Sequence, residues 1–330
     1  MNQQDSHRNY PTIEDIREAR IRLQPYIKRT PLLRAERIEK AVGCQLYLKP
    51  ETLQITGAFK IRGALNAVLS LSKEKIAKGL ISSSSGNHAQ GLSYVARMLG
   101  TKVLLVLPTT TAKLKIENTR ALGAEVILFD GDNAARWKRV YELAEENGYT
   151  VVHGFEDPMV MAGQGTMACE ILEDLEDVDT VIVPLGGGGL IAGVATAIKE
   201  TNPRVRVIGV EPALTPKYFH SRLNKQPTSL PLLDTIADGL RISVPGRNPY
   251  PIIEKYVDEI VLVDDVHIIQ GMRTLAVDAK LIAEPAASIG IGALLAGSIA
   301  LRPDEKVCVI LTGGNWELDA LAEIYKSSAV

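Results

Sequence analysis

Cysteine is scarce: Cys44, Cys169 and Cys308 are the only three in 330 residues. They lie far apart and form no CxxC spacing, which argues against a paired-cysteine metal site or a disulfide framework. Each reads as core filling, and a reducing, cytoplasmic setting fits. An excess of charge is missing as well. Lys and Arg number 37 against 39 Asp and Glu, a formal net charge of −2. That balance carries no electrostatic footprint for nucleic acid or an anionic membrane. No apolar run approaches the ~20 residues of a membrane span. The opening "MNQQDSHRNYPTIEDIREAR" has no apolar segment of a secretory signal. Short repeats, low-complexity tracts and long linkers are absent too. What remains is an ordinary globular composition, 46% hydrophobic and 23% charged, long enough for one large α/β unit or two intertwined domains.

Short β-branched runs alternate with longer amphipathic stretches. Strands are predicted at 101–108, 124–130, 150–153, 180–185, 205–211, 259–264 and 306–312, with helices at 112–122, 133–147 and 157–176. This alternation argues for parallel sheet with helices on its faces. The runs are nearly all apolar, as expected of strands buried on both sides. The stretch 211–235 interrupts the alternation, reads as loop, and is a candidate wall of the site.

Five stretches carry chemistry. In "ITGAFKIRGA" (55–64), Lys60 is flanked by Ala58, Phe59 and Ile61. A lysine in such company either snorkels from an amphipathic helix or holds a desolvated, nucleophilic amine. "LISSSSGNHAQG" (80–91) sets Ser82 to Ser85, Asn87 and His88 at the mouth of a helix. One cap needs only one of these groups, whereas the cluster suits a carboxylate ligand. "VIVPLGGGGLIAG" (181–193) runs a strand through Gly186 to Gly189 into a helix, a backbone cradle for phosphate. Gly187, Gly189 and Ala192, with Glu211 about twenty residues on, also match a nicotinamide-binding fingerprint. That alternative leaves the serine cluster and the lysine stretch unexplained. "IAEPAASIGIG" (282–292) places Glu284 before Pro285, and "VCVILTGGNWE" (307–317) ends a strand in Thr312, Gly313, Gly314 and Asn315. Either of these last two alone decides nothing.

Together, "TGAFKIRGA", "SSSGNHAQG", "AGQGT" (162–166), "PLGGGGLIAG", "EPAA" and "TGGN", in that order, resemble the fold type II pyridoxal-phosphate enzymes. The nearest branch is the threonine/serine dehydratases and serine racemase, and the likeness runs from about Pro31 to Asn315. It implies an α/β fold of two parallel-sheet domains, tryptophan synthase β-like, with the cofactor between them. A smaller domain at 52–155 would be inserted into a larger one formed by 1–51 and 156–330, with no C-terminal regulatory domain. It implies that Lys60 forms the Schiff base with pyridoxal 5'-phosphate and that Phe59 lies against the ring. Gly186, Gly187, Gly188 and Gly189 would hold the phosphate, Asn87 the ring hydroxyl and Thr312 the pyridine nitrogen, with Gly239 and Glu284 as further cofactor contacts. Ser84, Ser85, Asn87 and His88 would surround the substrate carboxylate. Ser85 would face Lys60 from the opposite side, so the two are the expected catalytic pair.

The implied reaction is that of an ammonia-lyase: a β-hydroxy amino acid such as L-threonine or L-serine gives a 2-oxo acid and ammonia. Thr312, a neutral hydroxyl, would leave the ring a weaker electron sink than a carboxylate partner would, which suits prompt elimination. Departures shape the alternatives. Ala58 stands where the family commonly has serine. After "VEP", serine racemases carry acidic residues that help bind a divalent cation near Glu211, but here Lys217 lies near the second of those positions, and no metal is expected. Phe155 in "HGFEDP" tilts towards dehydratase. Arg136, in "DNAARWK", is either an exposed helix arginine or a contact for a second acidic group, as on 3-hydroxyaspartate. Serine racemase, a cysteine synthase (whose loop "TSGNTG" differs from "SSGNHA") and a non-catalytic amino-acid-binding protein are the other readings. The expected partners are a small amino-acid substrate and further copies in a homodimer or homotetramer, with no nucleic acid and no membrane.

Overall fold

The computed structural model describes residues 9–111 and 113–326. Among these residues ten strands form two sheets. The larger has six strands in the order β1 (Leu33–Arg34), β2 (Gln45–Pro50), β10 (Lys306–Leu311), β7 (Thr180–Pro184), β8 (Arg206–Pro212) and β9 (Glu259–Val263). The smaller has the order β5 (Glu125–Phe129), β4 (Val103–Pro108), β3 (Leu80–Ser82), β6 (Thr150–Val151). Only β1 and β2 pair antiparallel; every other neighbour is parallel. The last strand, β10, sits between β2 and β7, so distant parts of the chain share one sheet. All four strands of the smaller sheet come from between β2 and β7 in sequence.

The seven predicted strands are β4 to β10, each within a few residues of its expected span. Burial on both faces holds for β7, β8 and β10, whose apolar runs lie between helix layers. It fails for β5, where Ile127 and Leu128 are exposed. β5 pairs with β4 alone and is therefore an edge strand. β1, β2 and β3 escape a search for apolar runs because β1 and β3 have two and three residues, and β2 contains Gln45 and Lys49.

Helices stand at Lys113–Ala121, Asn133–Asn147 and Pro158–Asp174. The last two have the expected sequence logic. Asp132 caps one, and Asp157 with Pro158 starts the other. The stretch 211–235 is not all loop, since Lys217–Asn224 is a helix. Its buried face is Lys217, Tyr218 and Ser221, polar side chains that leave no apolar stripe to read. No helix among the described residues is long and apolar enough to cross a membrane.

Candidate active site

Helix starts and strand ends from both sheets converge on one cleft. Lys60 is the first residue of the helix Lys60–Leu69. The segment before it is clamped to the end of β10: Phe59 N–H donates to Thr312 O at 2.9 Å, and Ala58 and Gly313 form a bridge. Gly57 takes φ +69°, and a Cβ there would strike Asn315, so the "TG" before Lys60 is a packing requirement. Lys60 Nζ donates to Gly154 O at 3.0 Å and meets no carboxylate within ion-pair distance among the described residues. Desolvation pushes its amine down to about 8, with the Glu284 charge opposing. The residue is half-buried, and its amine points to a backbone carbonyl inside the fold.

The serine cluster does not cap the helix Asn87–Leu99. Gly86 is its N-cap and no side chain bonds there. Ser82 Oγ donates to Val152 O at 2.7 Å, Ser83 Oγ accepts from Arg136 Nε at 2.7 Å, and Ser84 Oγ accepts from Gly86 N at 3.4 Å. Ser85 has no hydrogen-bond partner among the described residues. The open N–H groups of this helix start make a site for an anion. Asn87, at its first position, donates from Nδ2 to Glu284 Oε1 at 2.9 Å and accepts at Oδ1 from Asn315 Nδ2 at 2.8 Å. Glu284 is buried, and desolvation pushes its carboxyl up to about 7 against the Asn87 bond. Thr312 is buried two residues from Gly314 at the same strand end. The motifs quoted around Lys60, Asn87, Glu284 and Thr312 therefore meet.

His88 bonds Val152 O through Nε2 at 3.0 Å, and its Nδ1 is buried without a partner. Burial, then the Lys60 charge, push this imidazole down to about 4, so it is neutral at working pH. His153 was passed over in the sequence because it reads as the end of a strand. Its ring stacks on Trp137 at 4.1 Å and meets Phe155 edge-on at 4.5 Å, while its Nδ1 accepts from Phe155 N and Glu156 N. Desolvation, then His88 and Lys60, push it down to about 3. Arg136 is half-buried. Beside its bond to Ser83 it donates to Asn133 Oδ1, and it has no carboxylate partner among the described residues. It stands at the rim of the serine cluster and not on an open helix face.

The glycine turn links β7 to the helix Gly189–Thr201, whose N-cap, Gly188 at φ +96°, gives no side-chain bond. A Cβ on Gly187 or Gly189 would collide with Phe155, and one on Gly186 would press on Gly239 O and Leu240. Gly239 thus abuts the turn. The four glycines have a steric reason as well as a ligand-binding one. Bare N–H groups at a helix start, a lysine amine turned into the fold, a half-buried asparagine and a buried threonine hydroxyl are the donor set a phosphorylated pyridine aldehyde needs, so the residues fit that cofactor. No group of three or more His, Cys, Asp or Glu arranged to hold a metal occurs among the described residues.

Asn315, the end of the "TGGN" motif, ties Asn87 to Thr56 O at 2.8 Å. A buried ionic cluster behind Lys60 went unread in the sequence. Arg62 makes forked bonds of 2.7–2.9 Å to Glu51 and Glu170, and Lys49 Nζ lies 2.6 Å from Glu170. A lone Arg62 or Glu170 carries no local signal of such pairing.

Residues 23–313 match the family model described as "Pyridoxal-phosphate dependent enzyme". The chain is 42% identical over 315 residues to an L-threonine ammonia-lyase of Geobacter sulfurreducens, covering 96% of this chain and 78% of that one. It is 38% identical over 320 residues to a serine racemase of Arabidopsis thaliana, covering 96% of each. The solved structure of maize serine racemase superposes with a TM-score of 0.91 at 36% identity, covering 96% of this chain and 97% of that one. Likeness of this extent reaches both a lyase and racemases, so it fixes the family and the cofactor but not the single reaction. The chain belongs to the fold type II pyridoxal-phosphate dependent enzymes, in the branch of threonine/serine dehydratases and serine racemases, and uses pyridoxal phosphate to act on an amino acid.

Proposed function

We propose that this enzyme is a dehydratase, an ammonia-lyase that converts a β-hydroxy amino acid of the L-threonine or L-serine type to a 2-oxo acid and ammonia. The observation that carries this reading is an asymmetry of bases across the cleft. Lys60 offers an amine pushed down to about 8, a base present in useful amount near neutral pH. Ser85, expected on the opposite face, has no hydrogen bond from a basic side chain among the described residues to activate its hydroxyl. Racemisation needs proton transfer on both faces, whereas elimination needs one.

Pyridoxal phosphate, when bound, supplies the electron sink that acidifies the substrate's Cα–H. Lys60 would hold it covalently, with the glycine turn at its phosphate and Asn87 and Thr312 along its ring. The α-carboxylate is received at the start of the helix Asn87–Leu99 by backbone N–H groups with Ser84, Ser85 and Asn87. His88, neutral, lines that wall without adding charge. Lys60 Nζ, released when the substrate's amino group takes its place, would take the Cα proton and hand it to the β-hydroxyl, which leaves as water. Water added back at Cα releases ammonia and the 2-oxo acid, so threonine minus ammonia gives 2-oxobutanoate with no redox change.

Incubating the holoenzyme with L-threonine, L-serine and L-3-hydroxyaspartate tests this by ammonia and 2-oxo acid release, with chiral chromatography for D-amino acids. Stoichiometric release of both products supports the dehydratase. Faster D-serine formation than 2-oxo acid release replaces it with a racemase. A second reading of the substrate rests on Arg136, whose half-buried guanidinium lacks a carboxylate partner beside Ser83. It favours a substrate with a second acidic group, and a kcat/KM for 3-hydroxyaspartate above that for threonine would establish it.

A further inference from the structure

The glycine turn presents amides outward, and a set of buried side chains grips it from behind. Among the described residues the N–H groups of Gly186, Gly187 and Gly188 find no acceptor. Two carbonyls beside them do find donors. Tyr218 Oη donates to Gly187 O at 3.0 Å, and Lys217 Nζ donates to Leu185 O at 3.4 Å. The Tyr218 hydroxyl also accepts from Gly246 N–H at 3.0 Å, which leaves its own proton for Gly187. In a trans peptide, C=O and the following N–H point to opposite sides. Drawing Gly187 C=O towards Tyr218 therefore turns Gly188 N–H away from it, and drawing Leu185 C=O towards Lys217 does the same for Gly186 N–H. The hydroxyl fills the space a side chain on Gly188 would need, since a Cβ there would lie 2.2 Å from Oη.

Glu211, at the end of β8, holds the two donors in place. Its carboxylate accepts from Lys217 Nζ at 2.8 Å, from Tyr218 N at 3.1 Å and from Phe219 N at 2.9 Å. It thus serves as the missing cap of the helix Lys217–Asn224, which has Pro216 and no local side-chain cap. The side chains of Glu211, Lys217 and Tyr218 are all fully buried. A buried ion pair is rarely more stable than apolar packing of the same volume. Its presence under this turn is better accounted for by where it puts two donors than by stability.

We propose that Glu211, Lys217 and Tyr218 are positioning residues that preset the glycine turn to receive the cofactor's phosphate. All three lie fully buried behind the turn. They hold the turn's peptide planes in the binding orientation before the phosphate arrives, which removes an ordering cost from binding. The proposal depends on the cofactor alone, whichever amino acid is the substrate.

The test compares two ligands that differ only in the phosphate. Full-length protein stripped of cofactor with hydroxylamine is titrated with pyridoxal phosphate and with pyridoxal. Tyr218→Phe is expected to weaken pyridoxal phosphate about tenfold, the scale of one hydrogen bond, and pyridoxal less than about twofold. In the reconstituted holoenzyme the phosphorus-31 resonance of the bound cofactor should shift relative to the unmodified protein. Should Tyr218→Phe not fold, Glu211→Gln with Lys217→Met removes the buried charges as a pair and is held to the same criterion. Equal weakening of both ligands, or unchanged pyridoxal phosphate affinity with an unmoved resonance, overturns the proposal.

Discussion

Replacing Arg62 with methionine tests whether the ionic cluster behind Lys60 is a closed set. Arg62 and Lys49 face Glu51 and Glu170, and all four side chains are almost completely buried. Arg62 also donates to Thr166 Oγ1 at 3.2 Å, and Thr30 Oγ1 donates to Glu51 at 2.6 Å. Two cations thus balance two carboxylates with their donors and acceptors met. Arg62→Met keeps most of the volume and leaves one ammonium against two carboxylates. Removing one partner of a buried pair costs about 3–5 kcal/mol. An unfolding entropy of about 2.1 cal/mol/K per residue makes this a fall in Tm of ~4–7 °C for a chain of 330 residues. The pH dependence discriminates further. In the native cluster burial pushes the Glu51 carboxyl up, while Arg62, Thr30 and Lys49 together hold it below its ordinary value. That contribution is complete above the unfolded pKa and is lost as pH falls through the folded one. In the variant burial dominates and the folded pKa rises above the unfolded value. The deficit is then full at pH 8 and shrinks as pH falls towards 5, because the folded state takes up the proton. Thermal unfolding of both holoenzymes at pH 8 and pH 5.5 reads this directly. A deficit below about 1 kcal/mol, or one equal at the two pH values, refutes the closed-cluster argument.

Lys60→Ala should abolish turnover and the absorbance of the lysine-bound cofactor together; retention of either removes Lys60 from its role. In the unmodified enzyme kcat should rise with pH, half-maximal near 8 and levelling off above about 9, since the lysine acts only when deprotonated, and a flat profile from pH 6 to 9 counts against it as the base. Ser85→Ala should reduce activity on D-serine far more than elimination from an L-substrate, and equal losses would deny the two-face division. Activity and Tm should be unchanged by EDTA or magnesium, because Lys217 supplies the charge facing Glu211. Lys217→Asp should create a magnesium response, and clear magnesium activation of the unmodified protein would refute the substitution.

The sequence alone determined the parallel α/β class, because strands buried on both faces need apolar middles, as residues 181–183 of β7, 207–210 of β8 and 307–311 of β10 are. It determined the family too, since six motifs in order constrain backbone, nucleophile and phosphate turn at once. Lys60 stood out locally, as its apolar neighbours are unusual for a surface lysine, although a snorkelling side chain stayed open. Tertiary structure alone decided which partners those residues meet. Glu284 and Asn87 are 197 residues apart and share a hydrogen bond, a contact no local spacing encodes. The serines read as a ligand wall more than as caps, and the fold put Gly86 at the cap and left the helix N–H groups open. The helix Lys217–Asn224 was hidden because its buried face is polar, and Glu211, which makes that burial tolerable, arrives from β8. Buried charge is affordable only with a partner in place, and the partner's position follows from the packing of strands and helices, not from neighbours in the chain.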